Sequence, residues 1–144
     1  MVSMLRSGLW AVTGLLVSAC VLSAPGGQAT GAKAERVLVA EELNITENGA
    51  ASPDVDAGAC RAFLLDEDAV RRALENSEPV SRSQYMHVLP WSLCLVRGRI
   101  TLVDGRAGTW TIRQYGTGSI LLDDDAELYF WCRRCTNPPF VAVE

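Results

Sequence analysis

From Leu93 onward apolar side chains recur at every second position, and this alternation constrains the fold more than any other feature of the chain. A period of two belongs to strands with one dry face and one wet face. In "LCLVRGRITLVDG" one face carries Cys94, Val96, Gly98, Ile100 and Leu102, and the other Leu93, Leu95, Arg97 and Arg99. In "AGTWTIRQY" Trp110 and Ile112 oppose Thr109, Thr111 and Arg113. The turn between these runs sets the register. A two-residue Asp104, Gly105 loop sets Ile100 against Thr109 and Arg99 against Trp110, which mixes wet and dry faces. A three-residue loop, Val103 to Gly105 with Gly105 left-handed, sets Val96 against Ile112, lays Trp110 over Gly98 and gathers arginines and threonines on the outer face. The second register is the prediction. Turns at Gly116 to Gly118 and at "DDDA" carry the alternation on through Ser119 to Leu122 and Glu127 to Cys132, with Ile120, Leu122, Leu128 and Phe130 inward.

Upstream the period changes. Asp66 is placed to cap a helix of about eleven residues, with Glu67 and Asp68 in the first turn, where the helix dipole favours carboxylates. Glu67 reaches Arg71 and Asp68 reaches Arg72 at the spacing of neighbouring turns. The apolar stripe is narrow, Val70, Ala73 and Leu74, so one side packs and the rest is wet. Pro79 is expected to end this helix. Ser81 and Gln84 have capping-box spacing ahead of a shorter turn that Pro90 stops. The expected body, residues 59–144, is therefore an α+β domain, a four-stranded antiparallel meander with one helix packed on one face. Residues 20–58 are rich in Ala, Gly, Pro, Ser and Thr and read as a flexible tether, interrupted at Arg36 to Leu43 by a short strand or helical turn.

So small a body buries a limited core and gains from covalent staples. The chain has 5 cysteines, at positions 20, 60, 94, 132 and 135. Setting Cys20 aside leaves an even number, and the expected pairs are Cys60 with Cys94 and Cys132 with Cys135, because Cys94 points inward beneath the helix that starts just after Cys60. The crossed pairings remain open on the sequence alone.

Cys20 is set aside because of its surroundings. Arg6 precedes an apolar run from Gly8 to about Ala24, which has the layout of a secretory signal. Val17, Ser18, Ala19, Cys20 resembles the lipobox of bacterial lipoproteins. That resemblance implies cleavage before Cys20, removal of residues 1–19, and a lipid on the cysteine that holds the protein to a membrane. An alternative cleavage site, Ala32, Lys33, Ala34, would release a soluble exported protein. The tight pair also carries a resemblance, since Trp131 and Cys132 to Cys135 spell "WCRRC", which looks like the thioredoxin motif WCxxC. In that family the first cysteine begins a helix, and Pro138 and Pro139 follow here too soon to allow one.

Without residues 1–19 the chain holds 12 basic against 17 acidic side chains, Arg6 being the only charge lost. Such a body has no general attraction for nucleic acid. Its single histidine, His87, lies in "MHV" without a nucleophile turn and is read as a half-buried structural residue. Asp123, Asp124 and Asp125 lack the alternating spacing of a calcium loop, and "GTGS", Gly116 to Ser119, lacks the lysine and helix of a phosphate cradle. Neither a cofactor nor a metal site is expected. Arg97, Arg99 and Arg113 form a basic stripe on an acidic protein, with Leu93, Leu95 and Tyr115 adding apolar area. They are the expected contact residues for an acidic protein or envelope polymer, since guanidinium forks bind carboxylates in pairs. The expectation is a non-catalytic, lipid-anchored envelope protein facing the periplasm, a binding, inhibitor or assembly-accessory module. The alternative is a periplasmic thiol-disulfide protein using Cys132 and Cys135.

Overall fold

The computed structural model describes residues 38–53 and 56–143. The signal, Cys20, the site at Ala32 to Ala34 and the first part of the tether lie outside the described residues. Six strands are seen: β1 (Ala40–Ala51), β2 (Glu78–Val80), β3 (Cys94–Leu102), β4 (Ala107–Arg113), β5 (Thr117–Leu122) and β6 (Glu127–Trp131). Two α-helices, α1 (Glu67–Glu75) and α2 (Arg82–His87), and a 3₁₀ turn at Ala57–Cys60 complete the elements. All neighbouring strands pair antiparallel, in the order β1-β3-β4-β5-β6-β2. The expected meander is therefore the middle of a wider sheet, six strands in place of four.

The β3–β4 hairpin has the three-residue loop. Val96 faces Ile112 and Gly98 faces Trp110, and Gly105 takes a left-handed φ of 83°. The loop is closed by Leu102 N donating to Arg106 O at 2.8 Å and Gly105 N donating to Leu102 O at 2.8 Å. Trp110 is fully buried beneath this pairing, with Nε1 donating to the Arg99 carbonyl at 3.1 Å. Burying an indole of roughly 200 Å² contributes on the order of 5 kcal/mol by area. A Cβ at position 98 would lie 1.8 Å from the Asn44 carbonyl oxygen and 2.9 Å from the Trp110 ring, so only glycine lets β1 and the indole approach together.

Residues 40–51, within the stretch read as tether, form the longest strand. Leu43 pairs with Ile100 and Ile45 with Gly98, which brings two branched apolar side chains onto the core face. Pairing with β3 supplies what local composition does not, and it tolerates three register irregularities along the strand. Past Ile45 the far edge of β1 is fastened by Asn48, whose side chain donates to Leu65 O at 2.7 Å and accepts from Leu65 N at 3.0 Å.

α1 is capped as expected, Asp66 accepting from Ala69 N at 2.7 Å, and buries Val70, Ala73 and Leu74. It is shorter than predicted. Asn76 closes it by donating its backbone and its side-chain N–H to Arg72 O, so Pro79 is free to join β2 opposite Phe130. A proline is compatible with an edge strand because no partner there needs its N–H. Arg71 reaches across to the Ala40 carbonyl at 2.7 Å, and among the described residues neither Glu67 nor Asp68 forms an ion pair. α2 carries both hydrogen bonds of the capping box between Ser81 and Gln84. It packs on the opposite side of the sheet from α1, with the Tyr85 ring 4.8 Å from that of Tyr129, an outer-face residue. The single helix on one face is thereby corrected to two helices on two faces.

Both disulfides are present as the uncrossed pairs, Cys60–Cys94 and Cys132–Cys135. They place this domain in an oxidising compartment outside the cytoplasm. No helix among the described residues is long and apolar enough to cross a bilayer.

Candidate functional site on the outer face of the sheet

The strand register brings Arg97, Arg99 and Arg113 onto one face with Thr109 and Thr111 beside them. Each arginine is already engaged. Arg97 Nε lies 2.8 Å from the Glu47 carboxylate on β1, an ion pair not aligned as a hydrogen bond. Arg99 holds Asp123 in bidentate fashion, Nη1 to Oδ1 at 3.2 Å and Nη2 to Oδ2 at 3.0 Å, so the aspartate turn serves as an anchor for this arginine. Arg113 lies under Trp91, its guanidinium carbon 3.7 Å from the ring centroid, and Nη1 donates to Ser92 O at 2.8 Å. The Arg97 and Arg99 pairs are each about half exposed on both sides, so water and salt screen them and each contributes only about 0–1 kcal/mol.

What covers the rest of this face is the segment 82–93, a layer the alternation in β3 did not announce. Thr117 is fully buried beneath it and donates to Pro90 O at 3.4 Å. Leu95, expected to be exposed, is only 4 % exposed for the same reason. Tyr115 is half-buried and Leu93 exposed. His87 ends α2 in an exposed position, not the half-buried one expected.

Sequence reasoning missed the top of this layer. Met86, Val88, Trp91 and Leu93 present exposed apolar area within eight residues, Trp91 at 46 % and Val88 at 73 %. Trp91 is held in place from both sides, by the Arg113 stack below and by Nε1 donating to Tyr85 O at 3.3 Å. A signal for it was available: from Pro79 to Val103 the chain has no acidic residue, although the protein has 17. The Tyr129 hydroxyl donates to Glu127 at the border of this face. Partial burial, then the bond to Glu127, pushes the phenol above its ordinary range.

The Cys132–Cys135 pair lies elsewhere, after β6, in a turn and not at the start of a helix. Cys132 is 2 % exposed, and Arg133 stacks on Trp131 and pairs with Glu78. The disulfide lines a groove of about 400 Å³ formed with the flank of α1 and residues 137–140. Among the described residues no group of three or more His, Cys, Asp or Glu is arranged to hold a metal ion. No protein-family model, no curated protein and no solved structure matches this chain.

Proposed function

We propose that the protein is a non-catalytic binding module of the cell envelope, carried on lipid at Cys20, that docks a carboxylate-bearing partner protein through the outer face of its sheet. The observation carrying this reading is the acid-free stretch from Pro79 to Val103, whose 82–93 layer exposes Met86, Val88, Trp91 and Leu93, with Trp91 stacked on Arg113 and with Arg97 and Arg99 on the same face of the sheet. Interface centres are enriched in Trp, Met and Arg and depleted of acids, and the 82–93 layer has that composition on an acidic protein, while Glu47 and Asp123, acids of this face, are paired with Arg97 and Arg99. Trp91 is the anchor. Arg97 and Arg99 exchange their weak internal ion pairs for carboxylates of the partner, which sets orientation and association rate more than affinity. An accessory or inhibitory role in envelope assembly fits a body held near the membrane.

The test is photocrosslinking in intact cells from a probe placed at Val88. One partner captured by the wild type, lost with Trp91→Ala, and retained with a control at Leu64, which lies between α1 and the 3₁₀ turn, supports the reading. Equal capture by Trp91→Ala ends it. The thiol-disulfide alternative draws on one observation, that the Cys132–Cys135 bond lines an open groove. A thiol titration separates the two: a pair released by mild reductant while Cys60–Cys94 stays closed favours exchange chemistry, and two resistant bonds favour staples.

A further inference from the structure

The groove beside the second disulfide lies across the sheet from the docking layer, and its lining does not match a mere packing defect. Its floor is apolar, made by Ala69 and Ala73 of α1 and by Phe140, whose ring meets Phe63 edge-on at 5.6 Å. Its rim carries Arg72 and Arg134. Among the described residues neither guanidinium has an ion pair, whereas Arg82, Arg97, Arg99, Arg106 and Arg133 all do. Arg71 and Arg113 also lack an ion pair but donate to backbone carbonyls, whereas the Arg72 and Arg134 side chains have neither kind of partner among the described residues, although Arg134 also borders a neighbouring recess with Glu75 and Glu78. Near the C-terminal end of α1, Arg72 O accepts both N–H groups of Asn76 and Ala73 O accepts the Ser77 hydroxyl, and the two full positive charges of Arg72 and Arg134 outweigh the partial negative charge that the helix dipole leaves at this end. Asn137 adds a primary amide to the rim.

We infer that this groove is a binding site for a small organic acid with an apolar body. The carboxylate is held between the Arg72 and Arg134 guanidinium groups, and the hydrocarbon lies on Ala69, Ala73 and Phe140. The ligand's own apolar part selects it over inorganic anions, because the floor offers no hydrogen bond. The Cys132–Cys135 bond fixes the wall from which Arg134 projects. The same chemistry is shared by a free acid and by the end of a polypeptide with an apolar last residue, for which Asn76 Oδ1 and Asn137 offer amide partners.

The experiment is an NMR titration of the oxidised, folded protein with 3-phenylpropionate, with 3-phenylpropionamide and with acetyl-Ala-Phe. Expected are shifts confined to Ala69, Ala73 and residues 132–140, and binding of the acid at least about tenfold tighter than that of the amide. Arg134→Ala and Arg72→Ala each remove this preference, and Arg134→Lys restores part of it, which a purely structural role would not do. Tighter binding of acetyl-Ala-Phe assigns the site to a polypeptide end, and equal binding assigns it to free acids. Acid and amide binding alike, or shifts absent from the groove, overturn the inference. Because both arginines are exposed, the variants keep the fold, and loss of docking by Trp91→Ala leaves this titration unchanged.

Discussion

The two disulfides differ in the length of chain they close, and that difference sets a measurable ranking. Cys60–Cys94 spans a sequence separation of 34 and Cys132–Cys135 a separation of 3. In the chain-entropy model the first constrains the unfolded chain by about 3.8 kcal/mol and the second by about 1.6 kcal/mol. Cys60 is fully buried, so replacing it with alanine adds a cavity cost on the order of 1 kcal/mol. Alanine is the right substitute because serine would bury a hydroxyl without a partner. With roughly 2.1 cal/mol/K of unfolding entropy per residue and about 100 residues in the fold, Cys60→Ala/Cys94→Ala lowers Tm by about 18 °C before the cavity is counted. Cys132→Ala/Cys135→Ala lowers it by about 8 °C. Thermal and guanidinium unfolding followed by circular dichroism measure both. The bonds fasten different things, the first tying the 3₁₀ turn under β1 to the sheet and the second pinching one turn. A smaller loss from the long staple than from the tight one would refute the reasoning, since it would mean that the unfolded chain is already constrained near Cys60.

Gly98→Ala forces a Cβ to within 1.8 Å of the Asn44 carbonyl, so β1 must leave the sheet or the protein must fail to fold. Hydrogen exchange at Leu43 and Ile45 reports the release if soluble protein is obtained. Asn48→Ala leaves both backbone groups of Leu65 without their partner and costs about 1–3 kcal/mol, read from the denaturant midpoint. The raised Tyr129 phenol predicts a pH effect with a definite sign. Its stabilising contribution is complete below the ordinary tyrosine range near pH 10 and is lost as pH rises through the higher folded-state value. Absorbance at 295 nm in alkali shows a late-titrating tyrosine that Tyr129→Phe removes.

Elements with a strong local pattern were legible. The β3–β4 register followed from two incompatible face assignments and one left-handed glycine, and both helix caps followed from Asp66 and Ser81. The direction in which Cys94 points favoured the uncrossed disulfide pairing without excluding the crossed ones, and the structure holds the uncrossed pairs. The elements that escaped depend on distant partners. β1 contains Asn44, Asn48 and Gly49, which have little strand preference of their own, and it is a strand because Gly98 leaves room for it on β3. β2 contains Pro79, which reads as a helix stop in sequence and sits harmlessly at a sheet edge in space. The outer arginines were placed on the right face, but their partners Glu47, Asp123 and Trp91 come from three separate parts of the chain. Leu95 was misjudged for a related reason: alternation says which face a side chain takes, and only the 82–93 layer says whether that face meets water.

The three arginines of the docking face are not equivalent, and this separates direct contact from positioning. Arg97 and Arg99 make half-exposed ion pairs, so Arg97→Ala/Arg99→Ala costs at most about 1–2 kcal/mol of stability and acts on the partner directly. Arg113 supports Trp91 from beneath and bonds Ser92 O, so its removal loosens the 88–93 segment and acts through the indole. In a double-mutant cycle on partner affinity, Arg113→Ala and Trp91→Ala are therefore strongly non-additive, because the second change removes what the first only displaces. Arg97→Ala/Arg99→Ala and Trp91→Ala are close to additive. The double arginine variant also flattens the salt dependence of the association rate while Arg113→Ala leaves it steep, since steering belongs to the exposed charges. If all three arginines proved additive with Trp91 and shared one salt slope, the indole would not be the group that Arg113 serves, and the face would be reading charge alone.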